Sequence, residues 1–366
     1  MTHRERFVRT LTGQPVDRVP FIKLFGGTNA ILPRWESEHP GLSTQIDQIL
    51  QFDGVYRGWG IVPVNFWMAQ RGEPEVVEDD GKRQVRRFVE GTVEVLVRGQ
   101  DFHHQTLAWP VKARADWERV KALHLQADDP TRLPPNWTEL VRQYRERDYA
   151  LQLTHGGVYG FARNLMGDEA LLYALYDDPG LVHDLMDGYT DMLLSLWGRL
   201  VEEVDFDLIE FWEDMASKNG ALLSPASFRQ FMLPNYRRVA EFARRHRIPV
   251  ILVDSDGYTD DLATVMVEGG VTAMYPFEVG AGCRPESVRQ RLPELGIVGG
   301  LAKESMIHGK RTIDEAMVRA RELIRLGRCI PGPDHFVLSN VSWENYRYFM
   351  ERLREVVMTT APGTGR

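Results

Sequence analysis

The sequence predicts an α/β chain folded as a (β/α)8 barrel, with an N-terminal extension and an inserted antiparallel β-meander at about residues 74–112. Three observations predict it. Short apolar runs alternate with amphipathic stretches at helical spacing over most of the 366 residues. The runs are apolar nearly throughout, as strands buried on both faces of a parallel sheet must be. Each of the clearest runs also leads into a loop with ionisable residues, as strands do at the C-terminal mouth of such a barrel.

The elements follow in order. Within the meander, Glu75-Val76-Val77-Glu78, Gln84–Val89 and Thr92–Val97 read as strands joined by turns at Asp79-Asp80-Gly81-Lys82 and Glu90-Gly91. The parallel strands are read at 151–154, 207–211, 249–253, 272–275, 296–299 and near Ile330. Helices lie between them. Pro179 begins a long one with apolar positions from Leu181 to Val204. Ser224-Pro225 reads as an N-cap and first turn, and Thr259 opens a helix that stops at Gly269-Gly270. Thr312-Ile313-Asp314-Glu315 has capping-box form, and Ser342 starts the last helix. One domain is expected over 1–358, with a disordered tail at 359–366.

Composition narrows the function classes. The chain is 43% hydrophobic and 26% charged, with 9 Trp and 16 Phe to fill a core. A formal charge of −8 with no basic stripe points away from nucleic acid. Two cysteines, Cys283 and Cys329, make no disulfide framework, and no apolar run reaches membrane-span length, so a cytoplasmic protein without membrane contact is expected. No phosphate-cradling or dinucleotide glycine motif is present.

The candidate chemistry collects where the strands end. His155, Tyr159 and Arg163 follow the first parallel run of the series, Glu213-Asp214 the second and Asp254-Ser255-Asp256 the third. Glu278, Lys303 and Asp334-His335 follow the others. Alternate residues of a strand share a face, so Asp254 and Asp256 both address the mouth. Two carboxylates that close repel, and either a divalent cation or a proton held on one of them relieves the repulsion. The same pair can instead cap the next helix, Asp-x-Asp-Gly being a common turn sequence. His335 can ligate a metal or move protons, or be held by Asp334 for loop structure. Glu213 and Asp214 divide between site and scaffold, Arg163 between an anionic substrate and one of these acids.

The residues resemble the uroporphyrinogen decarboxylase superfamily. The resemblance runs through Arg4-Glu5-Arg6-Phe7, Asp17-Arg18-Val19-Pro20, Gly157-x-Tyr159-Gly160-x-x-Arg163-x-x-Met166-Gly167 and Glu213-Asp214-Met215. It continues in Asp254-x-Asp256-Gly257 and Gly332-Pro333-Asp334-His335. It implies a (β/α)8 barrel with a deep mouth cleft, and a homodimer. True decarboxylases of the superfamily carry an Arg-Gln-Ala-Gly-Arg-Tyr segment whose arginines bind substrate carboxylates. Here the place reads Phe21 to Asn29 without either arginine. In the zinc-dependent methyltransferase branch, which moves methyl groups between corrinoid proteins and thiols, the ligand positions correspond to Asp254, Asp256 and His335.

The resulting expectation is a metal-assisted methyl- or one-carbon-transferring enzyme. A divalent ion, zinc by resemblance, sits on Asp254, Asp256 and His335 and acts as a Lewis acid. Asp256, Glu213, Asp214 and His335 are the catalytic candidates; Arg163, Tyr159, His155, Lys303 and Asn29 are the substrate-binding ones. The substrate is a small molecule, with a corrinoid as substrate or carried by a partner corrinoid protein. Two alternatives stand beside it: a decarboxylase of a tetrapyrrole-related or smaller acid, and a non-catalytic tetrapyrrole- or corrinoid-binding protein.

Overall fold

The computed structural model describes residues 1–24, 31–55, 58–98 and 104–364, with only the backbone at His104, Thr154 and His155. Thirteen strands occur among them. These are β1 (Trp59–Ile61), β2 (Glu75–Asp79), β3 (Arg83–Arg87), β4 (Val93–Val97), β5 (His104–Ala108), β6 (Ala150–His155), β7 (Leu208–Trp212), β8 (Ala216–Ser217), β9 (Gly220–Ala221), β10 (Val250–Asp254), β11 (Ala273–Tyr275), β12 (Gly296–Leu301) and β13 (Cys329–Pro333).

Seven of them form one sheet in the order β1-β6-β7-β10-β11-β12-β13, every pair parallel. Sequential strands are neighbours, as helical crossovers of one hand require. The sheet curls, and side chains divide by parity. Leu208, Val250 and Leu252 join an interior cluster with Trp59, Val298 and Ile330. Their chain neighbours Ile209, Phe211, Ile251 and Val253 join the cluster packed against the helices. Helix His3–Leu11 closes the N-terminal end of the curl by adding Phe7 and Leu11 to the interior. A Cβ on Gly58 would meet Ile22, and one on Gly332 would meet Leu24, which lays the extended segment 19–24 against both outer strands, β1 and β13.

Strands β2, β3, β4 and β5 make a separate antiparallel sheet in that order. Its last strand was not read from the sequence. One boundary differs from the expectation. Thr312 is not an N-cap: its helix starts at Lys310, and the Thr312 hydroxyl donates to the carbonyls of Ser305 and Gly309. The last helix runs to Thr359, and the Gly363 amide donates to the Ile324 carbonyl. Among the described residues no helix is long and apolar enough to cross a membrane.

Candidate active site at the mouth of the parallel sheet

The loops after β6, β7, β10, β11, β12 and β13 meet at the C-terminal end of the sheet. Asp256, two residues past β10, and His335, two past β13, come together there: Nε2 of His335 lies 3.0 Å from Oδ2 of Asp256, across 79 positions of chain. Both are partly exposed, at 25% and 39% of their side chains. Asp214 adjoins this pair. Burial raises its carboxyl above the usual range, with the charge of Asp256 adding to the effect and Arg163 opposing it. Asp214 adopts a left-handed backbone, φ 46°, which few residues besides Gly, Asn and Asp tolerate. Arg163 donates to the Asp214 carbonyl at 3.2 Å and to its carboxylate at 3.4 Å. Its guanidinium also stands 6.0 Å from the centre of the exposed Trp212 ring. The result is a row of four groups: Arg163, Asp214, Asp256 and His335.

Glu213 has a different place. Its side chain is fully buried and accepts from the amides of Val158 and Gly160, each at 2.9 Å, and from the Tyr236 hydroxyl at 2.7 Å. It thereby caps helix Val158–Met166, the element that carries Arg163. Burial pushes its pKa up to about 7 against those three hydrogen bonds. Glu213, a proton-transfer candidate from the sequence, is thus buried below the mouth and bonded to the helix that carries Arg163. The cap also explains two glycines. A Cβ on Gly157, φ 76°, would stand 2.4 Å from Glu213 Oε2, and one on Gly160 2.3 Å from the Trp212 carbonyl oxygen.

Asp254 faces the interior, where the Tyr275 hydroxyl lies 2.5 Å from its Oδ2 and 2.6 Å from Glu210 Oε1. Gln152 extends the chain by donating to Glu210 at 2.7 Å. A phenol has one proton, so it can donate to one carboxyl at a time.

Ion pairs and amide bonds tie the remaining loops. Lys303 Nζ donates to Glu278 at 2.7 Å, and the other Glu278 oxygen accepts from the Gly257 amide at 2.8 Å. Asp334 accepts from the amides of Val279 and Lys303, at 2.8 and 2.9 Å, and burial raises its pKa to about 6. Lys303, a substrate-binding candidate from the sequence, is thus paired with a carboxylate here. Tyr159, a substrate-binding candidate from the sequence, is fully buried and points its hydroxyl at Asp168, 3.3 Å away. His155 ends β6, and its side chain lies outside the description; Asn29 lies wholly outside the described residues.

Comparison with known proteins adds a decisive match. Residues 96–356 match the profile of the uroporphyrinogen decarboxylase (URO-D) family. The chain belongs to the URO-D family. A search of curated proteins finds no match. Among solved structures, a methyltransferase from Methanosarcina mazei superposes with a TM-score of 0.62 at 16% identity, covering 97% of this chain and 99% of that one. A Listeria monocytogenes chain provisionally assigned as a vitamin-B12-independent methionine synthase gives 0.33 at 13% identity over 59% of this chain and 69% of that one. The first likeness shows a shared fold; the second is too distant to carry an argument.

The metal-ligand positions of the URO-D methyltransferase branch do not assemble here. Asp256 meets His335, but Asp254 turns inward to Tyr275. Among the described residues no three His, Cys, Asp or Glu groups are placed to hold an ion. The described donors therefore do not fit a three-ligand site in this arrangement. Sequence reasoning missed Glu210, Tyr275 and Gln152. The signal was present in Glu210, a carboxylate in the apolar run Leu208–Trp212 at the same parity as the inward Leu208.

Proposed function

We propose that this URO-D family member is a methyl- or one-carbon-transferring enzyme on a (β/α)8 barrel whose eighth position is filled by segment 19–24. The Asp256–His335 contact carries the reading, because it unites two loops of distant sequence at the end of the sheet where catalytic groups collect. Asp256 orients the imidazole and stabilises the imidazolium formed when His335 takes a proton. Asp214 and Arg163 would orient the polar part of a substrate. Arg163 Nε and Asp214 Oδ1 are buried without a protein partner, a capacity that a ligand or water could satisfy.

Charge balance favours this over decarboxylation of a polyacid. The cations described at the mouth, Arg163 and Lys303, are matched by Asp214 and Glu278. Asp256 adds further negative charge, so a substrate with several carboxylates would meet repulsion. The fold shared with a methyltransferase supports the same direction.

The test is transfer of a labelled methyl group, from a methylated corrinoid and from small methyl donors, to water, thiol and amine acceptors, with and without a divalent ion. Turnover that falls on Asp256→Asn and His335→Ala is the expected result. Release of carbon dioxide from candidate acids without methyl transfer would replace it with the decarboxylase reading. Binding without any turnover would overturn catalysis altogether.

A further inference from the structure

A cleft of about 180 Å³ opens between the antiparallel sheet and the rim of the parallel one. Its walls include three tryptophans from three parts of the chain: Trp67 after β1, Trp109 after β5 and Trp212 at the end of β7. Arg71 and Glu94 are the charged groups of its lining, beside Thr92, Thr106 and Asn164. Nothing in the row of four mouth groups uses this space, although Trp212 borders both.

We propose that this cleft binds a small organic cation with apolar substituents, of the methylated-ammonium class. Two independent features point there. Indole faces attract cations, and several around one space make the aromatic enclosure that quaternary ammonium groups prefer. Trp212 already has the Arg163 guanidinium near its ring. The second feature is charge. Arg71 is the cation among these residues, and it is shared by two carboxylates: Nε bonds Glu90 at 2.8 Å, and a terminal nitrogen lies 3.8 Å from Glu94. Arg71 also stacks on Phe88, 3.6 Å from its ring centre. Glu90 is fully buried, and its Oε2 has no partner among the described residues. Glu94 stands on the cleft wall and is reached by Arg71 only at 3.8 Å, so an organic cation among the tryptophans would gain its carboxylate as a counter-charge. The volume suits a head group and not a large ligand, drug-sized sites beginning at about 300 Å³.

The experiment is calorimetric and fluorescence titration of the full chain at low ionic strength with choline, with its neutral isostere 3,3-dimethylbutan-1-ol and with phenol. It requires no turnover, so its outcome is separate from that of the transfer assay. Choline binding at least about tenfold tighter than the isostere is expected, cation attraction in a desolvated aromatic site being of that order. Glu94→Gln and Trp212→Leu each weaken choline several-fold while far-UV circular dichroism stays unchanged. Equal or tighter binding of the isostere, phenol binding in place of choline, no choline binding, or choline binding indifferent to both substitutions overturns the proposal. The two altered side chains are partly exposed, so a fold defect in one leaves the other informative.

Discussion

The Asp256–His335 contact and the buried Glu213 predict opposite behaviour under substitution. Asp256→Asn and His335→Ala remove a pair at the solvent edge, where stability hardly depends on one ion pair. Methyl-transfer rate should fall about 100-fold or more with each, as for loss of a positioned acid or base, while the urea midpoint stays within error. The double variant should cost little more than either single one, since the two act as a unit. Glu213→Gln should do the reverse to stability. Its new amide would face one of three donors, so about 1–3 kcal/mol of folding free energy is lost, measured by urea unfolding. The pH dependence has a definite sign. Glu213 moves from 4.5 up to about 7, so the native state holds more protons in that window. Its contribution to stability is therefore full below about 4.5 and lost as pH rises through 7. The stability gap between wild type and Glu213→Gln should shrink from pH 5 to pH 8 in paired urea titrations. Sequence pattern found both acids of the Glu213-Asp214 pair but could not divide them. Which one is buried depends on the left-handed turn at Asp214 and on the approach of helix Val158–Met166, neither of which is a local property.

That helix shows how an element is set by its neighbour. Its N-terminal amides have no carboxylate from their own chain segment; Glu213 from the next strand supplies it. Gly157→Ala and Gly160→Ala should each destabilise by about 1–3 kcal/mol through forced displacement, and both should reduce turnover because Arg163 rides on the helix. Thermal melts together with the transfer assay check this; an alanine accepted without loss at either position would mean that the cap is looser than described. The glycines were legible as a motif but not as a steric necessity. In the inserted sheet, turn chemistry revealed three strands, and the fourth escaped because His104–Ala108 has one large apolar residue, Leu107, and leaves it half exposed. Thr312 misled for a related reason: a capping-box pattern inside a helix's first turn reads the same as one at its start.

The curled sheet as a whole was the most legible feature, since double-sided burial writes itself into the sequence as unbroken apolar runs. Its interior polar chain from Gln152 to Asp254 was not, because inward and outward positions of a buried strand differ only by parity. At the opposite end from the mouth, Phe7 closes the interior, 1% exposed and 5.4 Å from Trp59 in ring separation. Phe7→Ala should cost about 3–5 kcal/mol, the usual range for an aromatic core truncation, seen as a lowered denaturation midpoint. Helix His3–Leu11 has a further consequence for how the protein is made. Its apolar side chains Phe7 and Leu11 pack in one cluster with Trp59 of β1, Ala150 of β6, Val298 of β12 and Ile330 of β13, so the helix has its full set of partners only once the last of these strands is synthesised. Until then a growing chain exposes the apolar lining of its curl, and partial products should depend on chaperones or be cleared by proteases.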